Sequence, residues 1–167
     1  MNDTLKKWLL FLLGGLMPVW LLETVFIPRL DPAVMPVLLP VCVVAAAVLE
    51  GAFFGAQFGL AAGLVWALTY AGASPWRLAL LTLVGMAAGV VSQYALRRSL
   101  SGCLICAAGV MGVLEVLNVL NGLINDLSDV GPLVLMAMGE FAVTVLCAPF
   151  VYFLFYKLYR KAGGKPI

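Results

Sequence analysis

The chain has 167 residues, of which 64% are hydrophobic and only 11% are charged, and its formal net charge is +2. A soluble domain carries roughly a quarter of its residues as Asp, Glu, Lys or Arg, so this composition excludes a water-soluble domain and predicts an all-α integral membrane protein. Histidine is absent, which excludes Ser-His-Asp triads and HExxH zinc sites. We expect no catalytic residues, no metal, no cofactor and no nucleic-acid partner.

Apolar segments divide the chain into six predicted membrane spans. The first follows Lys6 and Lys7 and is interpreted as an uncleaved span, because its apolar run continues for about 20 residues. The apolar sequence 37–70 is too long for one crossing of a bilayer core about 30 Å thick, and we divide it at Glu50-Gly51. The result is a single domain, 1–167, with predicted spans at 8–27, 36–49, 52–70, 76–96, 102–124 and 133–156.

Lysine and arginine are distributed unequally between the two sides of the predicted bundle. If the N-terminus lies inside, eight basic residues are cytoplasmic and two, Arg29 and Arg77, are outside. The positive-inside rule therefore predicts that both termini are cytoplasmic. The cytoplasmic residues are Lys6, Lys7, Arg97, Arg98, Lys157, Arg160, Lys161 and Lys165.

Glycine occurs at every fourth position of the segment EGAFFGAQFGLAAGL. The positions are Gly51, Gly55, Gly59 and Gly63. Because four residues advance a helix by about 400°, these glycines form a slowly winding groove that another helix can follow in a right-handed crossing. Two interpretations remain open: the span packs inside its own bundle, or the glycines form a partner-helix groove for another protein.

Polar side chains inside the predicted spans form a possible ligand pocket. They are Gln57, Glu115, Asn118 and Glu140. A charge at this depth costs several kcal/mol unless it is paired, protonated or hydrated, so we expect Glu115 to be protonated or hydrogen-bonded to Asn118, Gln57 or water. The alternative is a hydrogen-bonded clasp between spans. Glu23 and Glu50 lie near span ends, where we expect them to reach water.

These patterns resemble the MreD family of rod shape-determining membrane proteins. The resemblance covers most of the chain and rests on four features: the short second span after a proline-rich loop, LEGAFFGAQFGLAAGLVWAL, LALLTLVGMAAGVVSQY followed by Arg97-Arg98, and a basic C-terminal tail. Glu50, the four glycines and Leu64 match the family pattern of a charged residue and Gly followed by G-x-x-x-G-x-x-x-G-L. Where the family often has Asp next, this chain continues with VWAL.

The resemblance implies a six-transmembrane-helix bundle similar to the S-components of energy-coupling-factor vitamin transporters. It also implies a non-enzymatic scaffold in the bacterial inner membrane, which docks the transmembrane helix of an MreC-like partner. As the partner of MreC, the chain would link cytoplasmic MreB filaments to the RodA and penicillin-binding protein synthase. The alternative is a vitamin-binding transporter subunit. An intramembrane enzyme is the least favoured function, since Ser92 is the only serine well inside a span and has no obvious base.

Overall fold

The computed structural model describes residues 3–26, 36–69, 75–94, 99–124 and 130–163, and these residues form six helices. Helix α1 is built of four consecutive segments, Asp3–Phe11, Leu12–Leu16, Met17–Leu21 and Leu22–Phe26, of which the second and fourth are π-helical. The other helices are α2 (Leu39–Glu50), α3 (Ala52–Thr69), α4 (Pro75–Tyr94), α5 (Leu100–Ile124) and α6 (Val130–Lys161). The all-helical prediction is thereby confirmed, and each predicted span contains one of these helices or most of it.

Four helical segments are long and apolar enough to cross a membrane, which supports a membrane protein. These are Leu5–Val25, Ala52–Thr69, Leu100–Ile124 and Gly131–Lys161. Two further apolar segments, Leu39–Glu50 and Leu78–Tyr94, are shorter. Helix α2 has 12 residues, about 18 Å at 1.5 Å per residue, which is shorter than a core about 30 Å thick. Length and composition therefore support four crossings, and not the six that the sequence predicts.

Several residues that determine the predicted orientation lie outside the described part of the chain. These are Arg29, Arg97, Arg98 and Lys165, and the side chain of Arg77 is likewise not described. The cytoplasmic location of both termini therefore stays a prediction.

Helix α2 lies at the centre of the bundle. Every residue from Leu39 to Leu49 is buried, because α3, α4, α5 and α6 all pack against this helix. A helix that is apolar on all sides, as this one is, needs such an enclosure. Enclosure also means that neighbouring helices must satisfy the free backbone groups at its ends.

The structure has a break between two helices at Glu50-Gly51, where the sequence analysis divides the long apolar run. Helix α2 ends at Glu50, and the backbone of Gly51 has φ +105°, a conformation that side chains disfavour. The N–H of Gly51 still donates to the carbonyl of Ala47 at 2.8 Å, and the Gly51 carbonyl accepts from the N–H of Gly55 at 2.9 Å. The chain thus changes direction at one residue and leaves few backbone groups unpaired.

An aromatic cluster fills the bundle near the start of α1 and α3. The ring of Phe11 lies 5.3 Å from that of Phe54 and 5.8 Å from that of Phe155, and Phe58 lies 5.7 Å from Phe155. Gly15 makes room for this cluster, because a Cβ there would lie 2.7 Å from Cζ of Phe155. This end of the bundle is closed by packed rings, which are strongly stabilising contacts.

Candidate functional site

Helix α4 lies along the glycine groove of α3. A Cβ atom built on Gly55 would lie 2.5 Å from the carbonyl oxygen of Gly85, and one built on Gly63 would lie 3.0 Å from Cα of Leu78. At Gly59 the nearest atom would be the carbonyl oxygen of Leu81. Backbone therefore touches backbone along most of the α3–α4 contact, as expected for small residues in membrane helices.

This contact corrects the prediction of a partner-helix groove at Gly51, Gly55, Gly59 and Gly63. The last three face the backbone of α4, and Gly51 faces the amide group of Gln93 near the end of the same helix. A partner helix cannot enter this groove without displacing α4. The interpretation that the structure supports is the intramolecular one, in which the third span packs inside its own bundle.

A cavity of about 130 Å³ lies between the helices, away from the aromatic cluster. It is bordered by the start of α2 and α4, the end of α3, and the middle parts of α5 and α6. Its lining residues are Val37, Pro40, Trp66, Trp76, Leu80, Leu81, Met111, Leu114, Glu115, Asn118 and Glu140. The structure thus brings together three of the four predicted pocket residues, from two different helices.

The polar side chains of this cavity differ in their exposure. Glu115 is 8% exposed, and Asn118 lies one turn further along α5, close to its carboxyl group. Glu140 is half-buried, whereas Asn118 is exposed. Buried Leu81 and Met111 form the floor. The cavity therefore has an apolar floor, an acidic wall and a rim where Asn118 lies.

Gln57 is the predicted pocket residue that does not line the cavity. It is exposed and accepts a hydrogen bond from Nε1 of Trp8 at 3.2 Å. The ion pair of Lys7 and Glu50, 3.4 Å between Nζ and Oε1, joins the same two regions of the chain. Gln57 precedes Trp66, which lines the cavity, by about 14 Å of helix, so it is too far along α3 to reach Glu115.

Glu23 does not reach water, as the sequence had suggested, but is 5% exposed. Its carboxyl group lies near the backbone of Leu38 and Leu39, where α2 begins. Leu38 provides no side-chain cap for its own helix. Oγ1 of Thr144 on α6 accepts a hydrogen bond from the N–H of Val37 at 3.0 Å. A threonine of α6 thus caps the backbone just before the central helix, and a carboxyl group of α1 lies beside it.

Trp66 and Trp76 are site residues that sequence reasoning does not reveal. They lie near the end of α3 and the beginning of α4, positions where tryptophan is ordinarily an anchor at the membrane surface. Only the approach of these two helix ends places both rings on the cavity. No signal in the sequence distinguishes them from ordinary interfacial tryptophans.

A second, wider groove lies between α5 and α6, with a volume of about 440 Å³. Its lining is apolar except for one carboxyl group. The residues are Glu115, Val116, Val119, Leu120, Val134, Ala137, Met138, Phe141 and Ala142. Glu115 therefore lines both the cavity and this α5–α6 groove.

No protein-family model, curated protein or solved structure matches this chain. The resemblance to the MreD family and the likeness to S-components therefore stay predictions, carried by the residues quoted above. In the structure, the glycines among those residues form the α3–α4 contact and the bend at Gly51, whereas Arg97, Arg98 and most of the proline-rich loop lie outside the described residues.

Proposed function

We propose that this chain is a non-enzymatic scaffold subunit of the bacterial cell-shape and elongation complex, in the manner of the MreD family. It binds the transmembrane helix of an MreC-like single-pass protein in the inner membrane. That contact places it beside the RodA and penicillin-binding protein synthase and, across the membrane, MreB filaments. The proposal includes six crossings in an S-component-like arrangement, with both termini cytoplasmic.

The observation that carries this proposal is the α5–α6 groove. Alanine and valine provide much of its lining, with Ala137 and Ala142 on α6. Small side chains let a foreign helix come close, and close contact is what drives helix association in lipid, where burial of apolar surface contributes little. Because the glycine groove is occupied by α4, the α5–α6 groove is where we place the partner helix.

Glu115 gives this groove a means of selecting its partner. Its carboxyl group is the single charged or polar side chain among the groove residues. A polar group at bilayer depth favours a helix that offers a hydrogen-bond donor at the same depth. We therefore expect the partner helix to carry a donor such as Asn, Gln, Ser or Lys near its middle.

The remaining helices supply a firm support for this groove. Helices α2, α3 and α4 contact one another through glycine and alanine, as at Gly55, Gly85 and Ala47. Such contacts have little freedom to shift, since protein interiors are closely packed. A scaffold that holds other subunits in place requires this kind of platform.

Filling the groove tests the proposal. In cells that produce this chain with an MreC-like protein from the same bacterium, Ala142→Trp and Ala137→Trp should each lower co-purification of the partner roughly tenfold, because a bulky ring prevents close approach. The control is Leu68→Trp on α3, where the native side chain is 86% exposed. Each of the three variants should elute as a single species in size-exclusion chromatography in detergent.

Two outcomes would count against this function. If both groove variants retain the partner at the level of the control, the partner helix does not lie between α5 and α6. If the native chain co-purifies with lipid but with no single-pass protein, the scaffold function itself is wrong.

The second candidate function is a small-solute carrier, and the cavity is the observation that favours it. Its volume of about 130 Å³, however, is well below the roughly 300–1,000 Å³ of pockets that enclose drug-sized ligands. A vitamin does not fit such a space. Binding of a radiolabelled vitamin by the purified chain would reverse this conclusion.

A further inference from the structure

We infer that the cavity between the helices is a binding site for a small organic cation of the alkylammonium class. The carboxyl group of Glu115 neutralises the charge, and the rings of Trp66 and Trp76 enclose the alkyl groups. The cavity is a different space from the α5–α6 groove of the proposed function, although Glu115 lines both. Cation binding and co-purification of a partner are separate measurements, so either proposal can fail without the other.

The charge of the lining supports a cationic ligand. Glu115 and Glu140 are both lining residues, whereas the lining contains no lysine or arginine within the described part of the chain. Glu115 is more than nine-tenths buried. A carboxylate held away from water is costly unless a positive charge or hydrogen bonds compensate it, and a cation in the cavity would supply that charge.

Glu23 adds a third carboxyl group behind this wall. It is 5% exposed, it lies near enough to Glu140 for the two carboxyl groups to interact electrostatically, and its Oε2 has no hydrogen-bond partner within the described residues. A buried oxygen of this kind is uncommon in folded proteins and calls for an explanation. Glu23 does not line the cavity, so the charge that a cation would meet comes from Glu115 and Glu140.

The remaining lining residues select an organic cation over a metal ion. Trp66 and Trp76 present indole rings, which attract ammonium groups through their π-electrons. Leu80, Leu81 and Met111 provide apolar surface for methyl or ethyl groups. Among the described residues, no three Asp, Glu, Cys or His side chains converge in a way that could hold a metal ion.

The cavity volume limits the size of the ligand. At about 130 Å³ the space is close to the roughly 150 Å³ that holds a benzene molecule. We therefore expect a ligand of about five to eight non-hydrogen atoms. Trp76, 39% exposed, and Asn118 lie at the rim, where such a ligand would enter.

Binding of tetramethylammonium to the full chain in lipid nanodiscs tests this inference. We expect a saturable change in tryptophan fluorescence and a rise in the thermal unfolding temperature. The neutral isostere tert-butanol, which has the same number of non-hydrogen atoms, should produce neither effect. Glu115→Gln should weaken tetramethylammonium binding by about tenfold or more, because it removes the compensating charge.

Matched variants keep the result interpretable. Glu50→Gln makes the same substitution near the other end of the bundle and should leave binding unchanged. Asn118→Asp changes an exposed residue at the rim and should tighten binding; it decides the matter if Glu115→Gln does not fold. The inference is overturned if tetramethylammonium shows no saturable binding, if tert-butanol binds equally well, or if neither cavity variant alters the affinity.

Discussion

The α3–α4 and α5–α6 contacts both contain glycine, but they use it differently. On α3 and α4, a Cβ atom on Gly55 or Gly85 would collide with the backbone of the other helix. On α5, a Cβ atom on Gly109 would meet nothing within 4 Å, and one on Gly112 would lie 3.9 Å from the ring of Phe141. Glycine therefore marks close backbone contact in the α3–α4 pair. On α5 it faces open space at Gly109 and Gly112, and at Gly122 it meets only the side chain of Leu133 on α6.

This difference assigns separate tasks to the two pairs. In lipid, helices are held together by close packing and hydrogen bonds rather than by expulsion of water. The α3–α4 pair satisfies this requirement within the chain and gives the bundle its rigid part. The α5–α6 pair leaves a groove and an acidic wall, and both of our functional proposals concern that part of the molecule.

The largest effect should come from Gly59→Leu, which would disrupt the close contact between α3 and α4. Its Cβ alone would collide with the carbonyl of Leu81, and backbone atoms cannot move aside as a flexible side chain can. Overpacking of a core commonly costs about 1–3 kcal/mol, and a leucine against backbone should exceed that range. We expect loss of the monodisperse species in detergent, measured by fluorescence-detected size-exclusion chromatography.

The same substitution at Gly109 on α5 is the matched control. Because nothing lies within 4 Å of that site, Gly109→Leu should elute as the native chain does. If Gly59→Leu is equally well behaved, the α3–α4 contact is looser than described and the glycine groove again becomes available to a partner.

A smaller effect is expected from removing the hydrogen bond that joins α6 to the backbone just before α2. Thr144→Val keeps the shape of the side chain but removes the acceptor for the N–H of Val37. Leaving a buried donor unsatisfied costs about 1–3 kcal/mol, and because the N–H of Val37 is only part-buried we expect the lower end of that range. The midpoint of denaturation in SDS, followed by circular dichroism, should fall accordingly.

Thr82→Val provides the comparison for that measurement. The hydroxyl group of Thr82 donates to the carbonyl of Leu78 in its own turn of α4 at 2.9 Å, and that carbonyl also belongs to the helix ladder. Its loss should change the midpoint little. Equal effects of the two substitutions would mean that α6 does not cap the central helix.

The smallest expected effect has the opposite sign to the two destabilising substitutions above. Gly112→Ala on α5 introduces a Cβ 3.9 Å from Cε2 of Phe141, an ordinary contact distance. Alanine is the better helix former by about 0.8–1.0 kcal/mol, so we expect a slight stabilisation in the same SDS assay. Gly55→Ala should destabilise, since its Cβ would lie 2.5 Å from two other atoms. A destabilising Gly112→Ala would show that α5 and α6 are packed as tightly as α3 and α4.

Local features of the chain predicted the helices well. The division at Glu50-Gly51 followed from an apolar run too long for one crossing, and the structure places the bend there. The position of a residue along its helix, by contrast, does not determine whether its side chain is buried or which helix it contacts. Gln57 was predicted to share a pocket with Glu115 and instead faces Trp8, while Glu23 near a span end is buried.

The amino-acid sequence by itself predicted a lipid environment, the helical class and the residue at which α2 ends. These features follow from hydropathy, chain length and glycine conformation, which act over short distances. Only the tertiary structure decided which helix lies along the glycines of α3 and which carboxyl groups share a cavity. Those outcomes depend on how helices distant in sequence cross one another, and the small residues that permit a crossing do not identify the helix that makes it.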